Sequence, residues 1–141
     1  MYSTSLTASA PAPAPEPSPV PASRRPRVAT LDSFDAYGIA VSAVRDSSTF
    51  SSALPAHLRD QFNRAASSVA LNIAEGFGSF SSGVKRRHYE IARGSAMECV
   101  AILDLVSGSE SGSGSGSELN ETRGLFTRCA MMLAKLVARF R

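Results

Sequence analysis

The sequence predicts an all-α protein, an antiparallel up-down four-helix bundle. Three observations point there. Apolar residues recur at three- and four-residue steps in four separate segments. No stretch alternates apolar and polar residues as a half-buried strand would. Three of the segments are long enough, at roughly 22–26 residues or about 33–39 Å, to run the height of a bundle. At 141 residues the chain holds one domain at most.

The first helix is expected over about 33–48, where Phe34, Tyr37, Val41 and Val44 share a face and Asp32 or Ser33 offers an N-cap. The second runs over about 55–77. Leu58, Phe62, Ala65, Val69, Asn72 and Gly76 form its stripe, with Ile73 and Phe77 beside it, and Pro55 fits its first turn. The third covers about 82–106. Its stripe is Val84, His88, Ile91, Ser95, Glu98, Ile102 and Leu105, flanked by Ala92, Cys99, Leu103 and Val106, with Ser81 or Ser82 as cap. The fourth, about 118–140, carries Leu119, Phe126, Cys129, Leu133, Leu136 and Phe140 behind Ser117. Glu118 and Glu121 open it and Lys135, Arg139 and Arg141 close it, the charge order that suits the helix dipole.

Two stretches stand outside this pattern. Seven of the eight prolines fall in residues 1–26, and APAPAPEPSPVPA (10–22) favours extended polyproline II. Residues 1–30 are therefore expected to be a disordered tail. Arg24, Arg25 and Arg27 end it, either as part of a solubilising leader or as an electrostatic arm for a partner. SGSESGSGSGS (107–117) has no apolar residue and reads as a flexible linker, native or engineered.

Composition excludes several classes. Hydrophobic residues at 43% and charged residues at 19% are ordinary for a globular protein. Tryptophan is absent and aromatics are 7%, which predicts an aliphatic core. No apolar run is long enough for a membrane helix, and the N-terminus lacks a secretory pattern. Cys99 and Cys129 stand at no metal-ligand or redox spacing. They are expected to be buried thiols in a reducing cytoplasm. The formal charge of +3 permits a phosphate-rich partner without requiring one.

The second and third segments are unusually rich in small residues, in RAASSVALN (64–72) and IARGSAMEC (91–99). Gly94 costs about 1 kcal/mol in a helix interior relative to Ala, so a close contact there would be a reason to keep it. That contact lies within the bundle or between subunits.

Residues 54–76, LPAHLRDQFNRAASSVALNIAEG, then FGSFSS, then YEIARGSAMECVAILDL (89–105), resemble the four-helix-bundle family encoded by intervening sequences of bacterial 23S rRNA genes. The matching elements are Leu54-Pro55, Leu58-Arg59, Gln61, Arg64-Ala65-Ala66, Ser68, Asn72 to Gly76, Ile91-Ala92, Gly94-Ser95 and Glu98. The resemblance implies a bundle that assembles into a ring, commonly a homopentamer. It also implies kinship with the accessory variability determinant of diversity-generating retroelements, a basic pentameric barrel that associates with a reverse transcriptase and with nucleic acid. Membership by itself assigns no activity to the rRNA-associated members. Two departures stand out. Ser79 replaces the arginine that usually follows the second glycine of the EGxG segment, and the Gly/Ser stretch replaces a turn that usually carries apolar residues.

No catalytic constellation is legible. His57 and His88 lack HExxH spacing, no Cys/His cluster joins them, and GFGSFSSG has no Lys-Ser/Thr of a phosphate loop. No Gly-x-Ser-x-Gly elbow is present. No enzyme activity, metal or cofactor is expected, and His88 reads as a core histidine. Asn72 and Glu98 fall on apolar stripes and need partners there, with Arg64 and Arg93 the obvious ones. With Ser68, Glu75, Gly76, Gly94 and Ser95 they read as a structural or interface motif, in which Gly76 or Gly78 supplies a left-handed C-cap. The basic residues are the better functional lead. Lys85, Arg86, Arg87 and Arg93 lie on the third helix, and Arg123, Arg128, Lys135 and Arg139 on the fourth, where residues 122–141 hold no acid. They read either as a solvated face or as a phosphate-contacting surface for RNA or DNA, repeated around a ring. The rival function is a module that docks onto a protein such as a reverse transcriptase.

Overall fold

The computed structural model describes residues 29–107 and 116–140. Four helices make the fold: α1 (Asp35–Ser47), α2 (Ala56–Gly78), α3 (Ser82–Ser107) and α4 (Gly116–Arg139). Each packs on its neighbours in sequence, and α1 closes against α4, the arrangement of an up-down bundle. The Pro-rich tail to residue 28 with its three arginines, the linker at 108–115 and Arg141 lie outside the described residues. Ser107, Gly116 and Ser117, at the edges of the expected linker, are helical. No helix among the described residues is long and apolar enough to cross a membrane.

The α1 cap differs from expectation. Asp32 and Ser33 lie in a short 3-10 turn, Leu31–Ser33, and Phe34 is the N-cap residue. The Ser33 hydroxyl is already engaged: it donates to the Thr30 carbonyl at 2.7 Å and accepts the Thr30 N–H at 3.2 Å. At α2, Pro55 is itself the N-cap, and its carbonyl accepts the Leu58 and Arg59 N–H groups at 2.9 Å. Arg59 pins the α1–α2 connection by donating to the Ser52 carbonyl at 3.1 Å. The Ser81 hydroxyl faces the Val84 N–H at 3.5 Å at the entry to α3.

The core is less aliphatic than composition predicts. Phe62 and Phe126 are its largest fully buried side chains, edge to face with ring centroids 5.9 Å apart, and Phe50 adds a third ring 6.1 Å from Phe62. A second cluster occupies the other end of the bundle. Tyr89 lies between Phe34 (6.2 Å) and Phe140 (5.9 Å), and Phe34 meets Phe77 at 5.3 Å. Few aromatics suffice because they are concentrated, and each ring removes a large apolar area from water.

Two buried stripes are rotated from the expected ones. In α1 the core face is Ala36, Ala40, Ala43 and Ser47, while Tyr37, Val41 and Val44 are half-buried on a flank. In α3 it is Tyr89, Ala92, Ala96, Cys99, Val100, Ile102, Leu103 and Val106, of which only Ile102 belongs to the expected stripe. Val84, Ile91, Glu98 and Leu105 are exposed. On α1 the core face is small, so its bulkier apolar side chains are left on the flank.

Candidate functional site

The small-residue face of α2 meets that of α3 through a polar ladder. The Asn72 amide Nδ2 donates to the Ser68 carbonyl at 2.9 Å and faces the Ser68 Oγ at 3.1 Å, and the Ser95 hydroxyl donates to that same Oγ at 2.9 Å. That orientation turns Asn72 Oδ1 to His88 Nδ1 at 3.0 Å, and Glu75 Oε2 lies 3.0 Å from the same nitrogen. Both neighbours are acceptors, so Nδ1 carries the hydrogen. The expected polar network therefore exists around Asn72, but its partner is His88 and not an arginine. No buried side-chain nitrogen or oxygen among the described residues lacks a partner.

Gly76 belongs to the same seam and is no left-handed cap: no described glycine has positive φ. It is buried within α2, where an added Cβ would lie 2.6 Å from Tyr89 Cε1. The α2 terminus is closed differently. Ser79 is extended, its N–H donates to the Glu75 carbonyl at 3.1 Å, and Lys85 Nζ donates to the Phe77 carbonyl at 3.2 Å and the Gly76 carbonyl at 3.4 Å. A cation among the last carbonyls satisfies groups that a glycine cap would otherwise satisfy.

Glu98 corrects a second expectation. It is exposed, as are Arg64 and Arg93, and no ion pair joins it to either. Gly94 makes no close contact within the chain: nothing lies within 4 Å of the place an alanine methyl would occupy. Val84, Arg87, Ile91, Gly94, Glu98 and Leu105 share the outer face of α3 at helical spacing. Leu71 on α2, 63% exposed, lies on the adjoining outer face beyond Ser68 and Asn72.

Three of the eight basic residues are engaged by other groups. Lys85 is spent on the α2 terminus. Arg86 pairs with Glu90 one turn on, at 2.9 Å. Arg123 forms a two-point pair across to α3, with Nη2 3.2 Å from Asp104 Oδ2. This bond holds the Asp104 carboxyl below the ordinary aspartate range and the Arg123 guanidinium above its own. Arg87 and Arg93 are exposed on α3. Three remain together. Arg128, Lys135 and Arg139 stand at i, i+7 and i+11 on α4, within about 40° around the axis. All three are exposed, and none pairs with an acid among the described residues.

The thiols have no role in a site. Cys99 and Cys129 are buried and free, and Cys129 donates to the Ala36 carbonyl at 3.7 Å. Burial pushes both up to about 12, with the nearby Glu98 charge a lesser contribution at Cys99. Burial likewise raises the Tyr89 phenol. No group of three or more potential metal ligands occurs among the described residues. His57, exposed at the start of α2, joins no cluster.

Sequence reasoning identifies Ser68, Asn72, Glu75 and Ser95 and puts His88 on the same stripe as Ser95, but reads it as a core histidine and names no partner for it. A signal for the pairing exists: His88 and Ser95 are seven residues apart on α3, as Ser68 and Glu75 are on α2, and antiparallel helices bring such pairs into register. Residues 34–135 match the family model described as 23S rRNA-intervening sequence protein. No curated protein matches the chain.

Proposed function

Because this chain belongs to the 23S rRNA-intervening sequence protein family, we propose that it is a non-enzymatic adaptor that assembles into a ring and binds RNA or DNA through its α4 surface. One observation carries the binding half. Arg128, Lys135 and Arg139 are exposed, aligned and without acidic partners among the described residues. Surface cations with no acid to neutralise them are free to displace counterions from phosphates, which gives affinity without sequence preference. A ring repeats the stripe once per subunit, so weak contacts add when a single polymer spans several copies.

The outer face of α2 and α3 supports the assembly half. Leu71, Val84, Ile91 and Leu105 are exposed there beside an open Gly94. A glycine that weakens a helix and meets nothing within its own chain is accounted for if another backbone approaches it. A homopentamer is the assembly the family resemblance favours.

The test is native mass before and after RNase and DNase. A multiple of 14.8 kDa, plus polymer that one nuclease removes, is the expected result. Arg128→Glu, Lys135→Glu and Arg139→Glu together should abolish the polymer and leave the subunit number unchanged. Unchanged binding in that variant would remove the α4 stripe from the interface. The same α2–α3 face favours a second reading, docking of a protein such as a reverse transcriptase. A nuclease-resistant, salt-resistant complex with a nucleic-acid-free ring would favour it.

A further inference from the structure

A pocket of about 420 Å³ opens between the start of α1 and the end of α4. Its floor is apolar, formed by Phe34, Met132 and Leu136, which pack against the core. Its rim carries Lys135 and Arg139, with Asp35 on the α1 side and Ser33 at the mouth. Two of the three stripe cations are therefore also pocket residues. We propose that this pocket receives one unstacked base of a single-stranded nucleic acid while Lys135, Arg139 and Arg128 hold the neighbouring phosphates. The inference rests on the nucleic-acid reading above and narrows it to single strands.

The chemistry of the pocket matches that ligand in three respects. The volume falls in the range of small-ligand sites, about 300–1,000 Å³, and takes a planar ring. An apolar floor rewards the face of a base, and single strands are recognised largely through bases splayed onto such surfaces. The cations continue beyond the pocket along α4. Lys135 and Arg139 are about 6 Å apart along the helix, and Arg128 lies about 10.5 Å before Lys135, a line that suits a continuous polyanion. Asp35 pairs with neither cation, and its carboxylate can accept an N–H from a base edge while repelling a bare phosphate. A duplex keeps its bases paired and stacked, so it reaches the stripe but not the floor.

Fluorescence anisotropy on the full chain tests this, with a labelled short RNA, the DNA of the same sequence and the corresponding duplex. Ser33→Leu narrows the mouth without changing charge or adding an aromatic ring. Met132→Gln makes the floor polar at nearly constant size, which guards against a local effect of losing the Ser33 turn. Urea unfolding establishes that each variant is folded. Both substitutions should weaken single-strand binding about tenfold, with duplex binding and its salt dependence unchanged. A 2-aminopurine base in the strand should brighten on binding the wild type and stay dim with either variant. Equal losses for strand and duplex, or no loss in folded variants, would overturn the pocket and leave the phosphate stripe standing. Binding of neither by the wild type would overturn the nucleic-acid reading itself. An acidic, leucine-rich peptide that both variants lose, while strand binding persists, would make the occupant a protein and overturn the proposal.

Discussion

Between α2 and α3 the Tyr89 ring lies so close against Gly76 that there is no room for a methyl group. Between α1 and α4 a pocket of about 420 Å³ stays open beside the aromatic cluster. Both seams have a face of small residues, on α2 and α3 in the first and on α1 in the second. The first is closed by a buried ring and tied by the Ser68–Asn72–His88 ladder, whereas the second has alanines on α1 and longer side chains at its rim. Small residues permit close approach but do not enforce it. The directional bonds and the wedged Tyr89 ring set the α2–α3 distance. Across α1–α4 the Cys129 thiol bonds the Ala36 carbonyl deeper in the seam, and the space left open toward the surface coincides with part of the charged stripe.

The largest effect that breaks this contrast should come from Gly76→Val. Tyr89 is held between Phe34 and Phe140, so its ring cannot swing away cheaply. Overpacking of this kind costs about 1–3 kcal/mol, measured by urea denaturation. Next comes Asn72→Ala, which removes the acceptor facing His88 and the donor to Ser68. A loss of about 1–2 kcal/mol is expected. Combined with His88→Ala the losses should be less than additive, because both substitutions break one interaction.

The same glycine-to-alanine exchange should reverse sign on the open surfaces. Gly124 and Gly94 meet nothing within 4 Å. Alanine at either should stabilise the isolated chain by about 0.5–1 kcal/mol through helix propensity. Native mass then separates the two positions: Gly94→Ala should weaken assembly, and Gly124→Ala should not. The smallest effect belongs to α3–α4, tied at its surface by Asp104 and Arg123. The folded carboxyl titrates below its ordinary value near 3.8. Its stabilisation is therefore present above that value and is lost as pH falls through the lower, folded value. Asp104→Asn should lack this component of acid sensitivity while matching the wild type once both are fully protonated.

Four helices are legible in the sequence because amphipathic periodicity survives in all of them, and observed ends lie within about two residues of expected ones. The faces of α1 and α3 are harder to read. Equating bulk with burial makes Val84, Ile91 and Leu105 a core stripe, whereas the structure exposes them and buries Ala92 and Ala96. A hydrophobic pattern identifies a helix more securely than it identifies which of two apolar faces is buried. The error at Glu98 follows directly, since it shares the exposed stripe. Basic bias on α4 is legible, but its reduction to three aligned residues is not. Only the tertiary structure shows that Lys85 closes a helix end and that Arg86 and Arg123 already have carboxylate partners.

The pocket at the start of α1 is lined by both Ser33 and Arg139, so the two extremities of the bundle are neighbours. Topologically the helices form a closed circuit in which every helix borders the next and the last borders the first. Such a circuit can be cut and rejoined. A short glycine-rich bridge from Phe140 to Thr30, with the chain opened at the exposed Phe80 between α2 and α3, should give a circular permutant with the same core. In that permutant the 420 Å³ pocket would lie beneath a covalent span, where added residues could be graded in length to close its mouth by degrees.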